Sequence, residues 1–130
     1  MFGTFDRSRE GVYNWSGTNL LAQHNQVFSP TTEEEIIDIV SAPNAKVRMI
    51  GSGLSYEPLN RVEGDNAVLL SLENYQGLIS ETESTVTYKA GTALQTVFEY
   101  LIKQNMMLPA SPGVIGIQTL AGAIATGTHG

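Results

Sequence analysis

The sequence predicts an α+β fold, an α/β-like lobe with a small mixed or parallel sheet flanked by helices. Three observations carry this. Segments with helical and strand periodicity alternate along the chain rather than clustering. Two of the strand-like runs, 46–51 and 85–91, end in glycine. The length, 130 residues, suits one domain with a modest core and is too short for two ordinary ones.

The elements follow in order. "SPTTEEEIIDIVSA" (29–42) reads as a helix. Ser29, Thr31 or Thr32 can cap it, Pro30 suits its first turn, and Glu33 to Glu35 sit where the helix dipole favours acids. Ile36, Ile37 and Val40 form its expected buried face. "KVRMIG" (46–51) is a strand stopped by glycine, and "NAVLLSL" (66–72) and "TVTYKAG" (85–91) are further strands. "GLISETES" (77–84), between the last two, carries a short strand and a turn. "ALQTVFEYLIKQN" (93–105) is the clearest helix: Ala93–Leu94, Val97–Phe98 and Leu101–Ile102 recur every four residues as one apolar stripe. Thr92 is its expected N-cap, and Lys103 complements its C-terminal end. The tail from Leu108 is rich in glycine and small residues and almost uncharged.

Composition narrows the function classes. Apolar residues make up 42% and charged ones 15%, which fits a folded chain rather than a disordered tail. The net charge of −6 and the scatter of Lys and Arg argue against a nucleic-acid surface or an anionic membrane as partner. With no cysteine, disulfides, thiolate-ligated zinc and thiol catalysis drop out together. No apolar run approaches a membrane span, and "MFGTFDRSREGVYNWSG" lacks a signal-peptide core, so a soluble, cytoplasmic protein is expected.

Two segments suit an anion. "MIGSGLSYEPL" (49–59) places Gly-Ser-Gly directly after a strand, where bare N–H groups can close on phosphate. The dinucleotide fingerprint Gly-x-Gly-x-x-Gly fails, because Tyr56 stands at the third glycine, and no Gly-Lys-Ser/Thr follows. A plain tight turn is the competing reading. "QTLAGAIATGTHG" (118–130) is either a packing surface of small residues or a wall that lets backbone approach a flat ligand. Thr119, Thr126 and Thr128 supply hydroxyls there.

Four blocks together resemble one family, the FAD-dependent oxidoreductases of the vanillyl-alcohol oxidase type, in their sugar-oxidising branch of alditol and aldonolactone oxidases or dehydrogenases. They are "NWSG" (14–17), "VRMIGSGLS" (47–55), "VTYKAGTALQTVFEYLIKQNMMLP" (86–109) and "QTLAGAIATGTHG". The resemblance implies the first lobe of a PCMH-type FAD-binding domain over residues 1–130, without its substrate-binding cap. It implies that backbone amides around Ile50, Gly51, Ser52, Gly53, Leu54 and Ser55 hold the FAD diphosphate. Ser111, Gly113, Thr119, Gly122, Thr126, Gly127, Thr128 and His129 would lie along the flavin and ribityl side. Many members carry a flavin-tethering histidine where this chain has Leu54, so non-covalent FAD is expected, as in galactonolactone dehydrogenases. A small polyol or sugar lactone is the implied substrate of a longer parent. No residue here matches the family's substrate base, so the chain is expected to be inactive alone; a nucleotide- or partner-binding module without redox activity is the alternative.

Other residues receive ordinary readings: His24 is a surface or half-buried histidine, His129 structural, Glu33–Glu35 a solvated helix start, and Met106 and Met107 core filler. The "GVIGI" and "LAGAIA" runs, left bare, predict self-association or a mobile C-terminal segment. Analytical ultracentrifugation giving a strict monomer, together with a protease-resistant tail, would contradict that expectation.

Overall fold

The computed structural model describes residues 10–55, 58–111 and 116–130. Its centre is a three-stranded parallel sheet in the order β3-β5-β4, made of Val27–Phe28, Ala67–Ser71 and Lys46–Ile50. Helix α1, Glu33–Ser41, connects β3 to β4, as parallel pairing requires. Two antiparallel hairpins complete the sheets: β1, Gly11–Tyr13, with β2, Leu20–Gln23, and β6, Leu78–Glu81, with β7, Val86–Tyr88. Helix α2 spans Leu94–Lys103 and α3 spans Leu120–Ala125. The expected mixture of small sheets and helices is what forms.

The core lies between the β1–β2 hairpin and the central sheet. Val12, Leu21 and Ala22 meet Ile50, Val62, Ala67 and Leu69, with Val27 packed against them. Alternation along β5 explains the choice, since Ala67 and Leu69 share one face while Leu70 and Leu72 occupy the other. Burying each large aliphatic contributes roughly 1.5–3 kcal/mol. The N–H of Val62 donates to the carbonyl of Leu21 at 2.9 Å and pins the loop before β5 to the hairpin.

Helix α1 starts at Glu33, so Ser29 and Pro30 precede it, and Thr32 is the residue that caps it. Its apolar face is not buried: Ile36 is half-buried, and Ile37 and Val40 remain 52% and 51% exposed. Thr92 does not cap α2. Its hydroxyl donates to the Lys89 carbonyl (2.7 Å) and accepts from the Gly77 N–H (3.0 Å), closing the β6–β7 hairpin. Ala93 holds the cap position instead, and the N–H groups of Leu94 and Gln95 go to the carbonyls of Gln118 and Gly116, both at 2.8 Å. Leu94, Val97 and Leu101 are buried as the stripe predicts, whereas Ile102 is exposed. Met107 is 83% exposed and fills no core. Strands β1 to β3 and helix α3 were not foreseen.

Smaller devices fix the outer elements. The Tyr88 and Tyr100 rings meet edge-to-face at 6.2 Å, and the Tyr100 hydroxyl donates to the Glu81 carboxylate, tying α2 to the β6–β7 hairpin. Both phenols titrate above their ordinary range, Tyr88 through burial first and Tyr100 through its bond to Glu81 first. Among the described residues no helix is long and apolar enough to cross a membrane, and no cluster of His, Asp or Glu suits a metal ion.

The start of α1 is a capping box. Thr32 Oγ1 accepts from the Glu35 N–H at 3.2 Å, and Glu35 Oε2 accepts from the N–H of Thr31 at 2.7 Å and of Thr32 at 3.4 Å. The Thr31 N–H chiefly holds the Glu35 carboxyl below its ordinary value. A carboxyl lowered on folding stabilises the fold above its unfolded value, and that stability is lost as pH falls through the lowered one. Thermal melts should therefore show Glu35→Gln less stable than the parent at pH 7, with the two converging on acidification below the carboxylate range.

Candidate functional site

The loop after β4 sits at the carboxyl end of the parallel strands, where open α/β sheets place their ligands. Its peptide groups are sorted by direction. The Gly53 carbonyl accepts from the Trp15 N–H at 2.9 Å, and the Ser55 carbonyl accepts from Asn14 Nδ2 at 3.1 Å. The Ser52 hydroxyl donates to the Ile117 carbonyl. The carbonyls of Gly53 and Ser55 and the Ser52 hydroxyl thus turn into the protein. Among the described residues nothing accepts from the N–H groups of Gly51, Ser52, Gly53, Leu54 or Ser55. Gly53 has φ +69°, a conformation that lets successive N–H groups converge on one side.

The opposing wall comes from α3 and the turn before it. Thr119 caps α3, its Oγ1 accepting from the Gly122 N–H at 3.2 Å. The loop lies hard against this cap: a Cβ on Gly51 would stand 2.7 Å from Thr119 Oγ1, and one on Gly122 3.1 Å from the same atom. Two hollows open from this junction. One, of about 210 Å³, is lined by Gly51 to Ser55 with Asn14, Leu59, Asn60 and Thr119 among others. The other, of about 720 Å³, runs past Ile50, Leu72, Glu73, Gln95 and Ala125 along the ends of β4 and β5. Both are bounded by Gly51, Ser52, Asn60, Thr119, Gly122 and Thr126, so they share a wall at the Gly51–Thr119 contact.

Of the residues expected at the site, Ile50, Gly51, Ser52, Gly53, Leu54, Ser55, Thr119, Gly122 and Thr126 line these hollows. Gly127, Thr128, His129 and Ser111 do not line them. Gly127 (φ +64°) and Thr128 end α3, with their N–H groups on the carbonyls of Ile124 (3.2 Å) and Ala123 (2.9 Å). Thr128 Oγ1 also accepts from Gln118 Nε2 at 2.8 Å, and Thr126 Oγ1 donates to the Gly122 carbonyl at 2.8 Å. His129 is exposed, and Gly113 lies outside the described residues. The N-terminal N–H groups of α2, already on Gln118 and Gly116, offer an anion nothing.

Sequence reasoning missed Asn14, Asn60 and Gln118, all of which line the smaller hollow. Asn14 is 2% exposed. The "Asn14-Trp15-Ser16" triplet fits a glycosylation sequon, but its amide nitrogen is buried and engaged with the Ser55 carbonyl. Asn60 Nδ2 donates to the Met49 carbonyl on the open edge of β4. No periodicity marks such residues; isolated asparagines beside loops are the only signal.

A family profile described as FAD binding domain matches residues 25–130. The chain is 32% identical to D-arabinono-1,4-lactone oxidase of Candida albicans over 133 aligned residues, covering 89% of this chain and 23% of that protein. It is 28% identical to L-gulono-1,4-lactone dehydrogenase of Mycobacterium tuberculosis over 122, covering 90% and 27%. This chain therefore spans about a quarter of the length of the curated relatives it matches. Among solved structures, cholesterol oxidase from Brevibacterium sterolicum superposes with a TM-score of 0.77 at 23% identity, over 93% of this chain and 24% of that one. An alkyldihydroxyacetonephosphate synthase superposes with a TM-score of 0.64 at 19% identity, over 77% and 20%. These structural likenesses establish a shared fold.

The contact between Gly51 and Thr119 generates a coupled pair of substitutions. Gly51→Ala should displace the Thr119 hydroxyl from its cap and destabilise by roughly 1–2 kcal/mol, and Thr119→Ala should cost about 1 kcal/mol. In the double variant Gly51→Ala should cost much less, because the opposing hydroxyl has gone. Chemical denaturation of the four proteins reads this directly; strictly additive losses would refute it.

Proposed function

Because this chain belongs to the family of FAD-binding domains, we propose that its Gly51–Ser55 loop cradles the FAD diphosphate and that the flavin is held with no covalent bond. The observation that carries this is that the Gly53 and Ser55 carbonyls are bonded inward while the N–H groups of Gly51 to Ser55, residues that line the cleft, have no acceptor among the described residues. The residues present fit the group. A diphosphate needs several convergent N–H dipoles and backbone close enough to touch it, and Gly51 and Gly53 meet both needs. Leu54, in the cleft wall, has no nucleophilic atom to bond the flavin.

FAD, when bound, supplies a ring system that accepts two electrons and a proton from a substrate. This chain's part is to bind and to orient. The loop amides neutralise phosphate charge, Thr119, Gly122 and Thr126 form the adjoining wall along the ribityl side, and the larger hollow leaves length for an extended dinucleotide. Ser111, Gly113, Gly127, Thr128 and His129 belong to the same proposal as residues nearer the flavin. The related lactone oxidases and dehydrogenases support oxidation of a CH–OH group on a sugar alcohol or aldonolactone as the reaction of a longer parent. No described residue is assigned as the substrate base, so no turnover is expected of this chain by itself.

Titration of FAD fluorescence with the chain should show saturable quenching, and acid precipitation should leave all the flavin in the supernatant. Binding of ADP with no preference for the flavin would favour a nucleotide module without redox chemistry. Flavin retained in the precipitate would refute the non-covalent reading, and absence of quenching would refute the cradle.

A further inference from the structure

Two hydrogen bonds hold the loop's carbonyls inward, and both come from the turn between β1 and β2. This turn lies outside the residues that the family profile matches. It is rigid for local reasons. Asn14 Oδ1 accepts from the Asn19 N–H at 3.1 Å and from the Ser16 hydroxyl at 3.2 Å. The Asn14 backbone N–H donates to the Asn19 carbonyl at 3.1 Å, and its carbonyl accepts from Gly17 N–H at 2.9 Å. Gly17 has φ +69°, which closes the turn. The result is a buried asparagine whose acceptor is committed to its own turn and whose donor reaches 41 residues along the chain to Ser55.

We infer that Asn14 is a positioning residue for diphosphate recognition. It sets the peptide plane after Ser55, while the adjacent Trp15 N–H sets the plane after Gly53. The carbonyl fixed inward at Gly53 turns the Leu54 N–H of the same peptide outward. The bond to the Ser55 carbonyl holds the chain on the other side of Leu54, so the loop keeps its shape before any ligand arrives. Asparagine is the residue type required, because one side chain must accept within its turn and donate across to the loop. Leucine or alanine would leave the Ser55 carbonyl free to rotate toward the cleft, where its negative end would face the phosphate. The inference rests on the diphosphate cradle proposed above.

The experiment compares the parent chain with Asn14→Ser, which keeps a small polar group but cannot reach Ser55, using FAD, ADP and riboflavin as ligands. Loss of the clamp should weaken FAD and ADP by about tenfold. Riboflavin, which has no phosphate, should change less than twofold. A general structural defect would weaken all three alike, and that outcome overturns the inference, as does unchanged FAD affinity. Where Asn14→Ser does not fold, Asn14→Gln, which keeps the amide but displaces it by one carbon, takes the same ligand panel with the same criteria. If the parent chain itself binds FAD no better than riboflavin, the cradle fails rather than the role of Asn14. Amide hydrogen exchange at Trp15, whose N–H is bonded to the Gly53 carbonyl, supplies the second readout in the unliganded variant: faster exchange there, with the β5 amides unchanged, is expected, and uniform change at both places counts against it.

Discussion

Everything at this site depends on which way the five successive N–H groups of Gly51 to Ser55 face. A peptide has two polar ends, and in a loop either can be turned to solvent. Here the Trp15 amide and the Asn14 side chain engage the Gly53 and Ser55 carbonyls, and the loop's N–H groups have no acceptor among the described residues, which is what the proposed cradle uses. The Ser52 hydroxyl anchors the same loop to Ile117 from another side. A diphosphate can then be met by dipoles already in place, with no reorganisation on binding.

That orientation requires close packing on both sides. Gly51 presses on the α3 cap so tightly that a methyl group would collide with Thr119 Oγ1. Thr119 in turn bridges back to Ala93 at the start of α2, and Leu120 N–H donates to the Thr92 carbonyl at 2.9 Å. The loop, α3 and the entry to α2 are thereby one mechanical unit. The β1–β2 hairpin closes it from the opposite side through the core that Val12 and Leu21 share with Ile50. Glycine at 51 and a short hydroxyl at 119 are consequences of that crowding as much as of ligand chemistry.

Periodicity made much of this legible in the sequence. Strands at 46–50 and 67–71 and the helix at 94–103 stand within a residue or two of where alternation and the four-residue stripe place them. The loop itself was visible as glycine after a strand. Strands β1, β2 and β3, with three, four and two residues, are too short to show a period, and a register shift interrupts the first pair. Helix α3 hid because Leu-Ala-Gly-Ala-Ile-Ala has no polar face to contrast with an apolar one. Helix α1 teaches a different lesson: its apolar face was identified correctly, but a pattern says which face is apolar and not what covers it. Asn14 was illegible for the plainest reason, since its decisive partner lies 41 residues away.

Electrostatics favours dipoles over charges for the diphosphate binding proposed above. The chain carries a net charge of −6, so a ligand with two phosphate charges approaches against the overall field. The loop from Gly51 to Ser55 contains no cation. Three of the seven basic residues, Lys46, Arg48 and Arg61, line a separate hollow beside β4, with Arg61 paired to Glu63 at 2.9 Å. Lys46 begins the strand that ends at Ile50, about 13 Å away at the usual rise per residue. That exceeds the screening length of about 8 Å at physiological salt, so its charge is largely masked at the loop. Neutral N–H groups touching the anion suffer neither limit: no electrolyte intervenes at contact, and their dipoles do not change with pH near neutrality. An acidic protein can therefore hold a dianion, provided that the peptide planes around it are fixed by the fold.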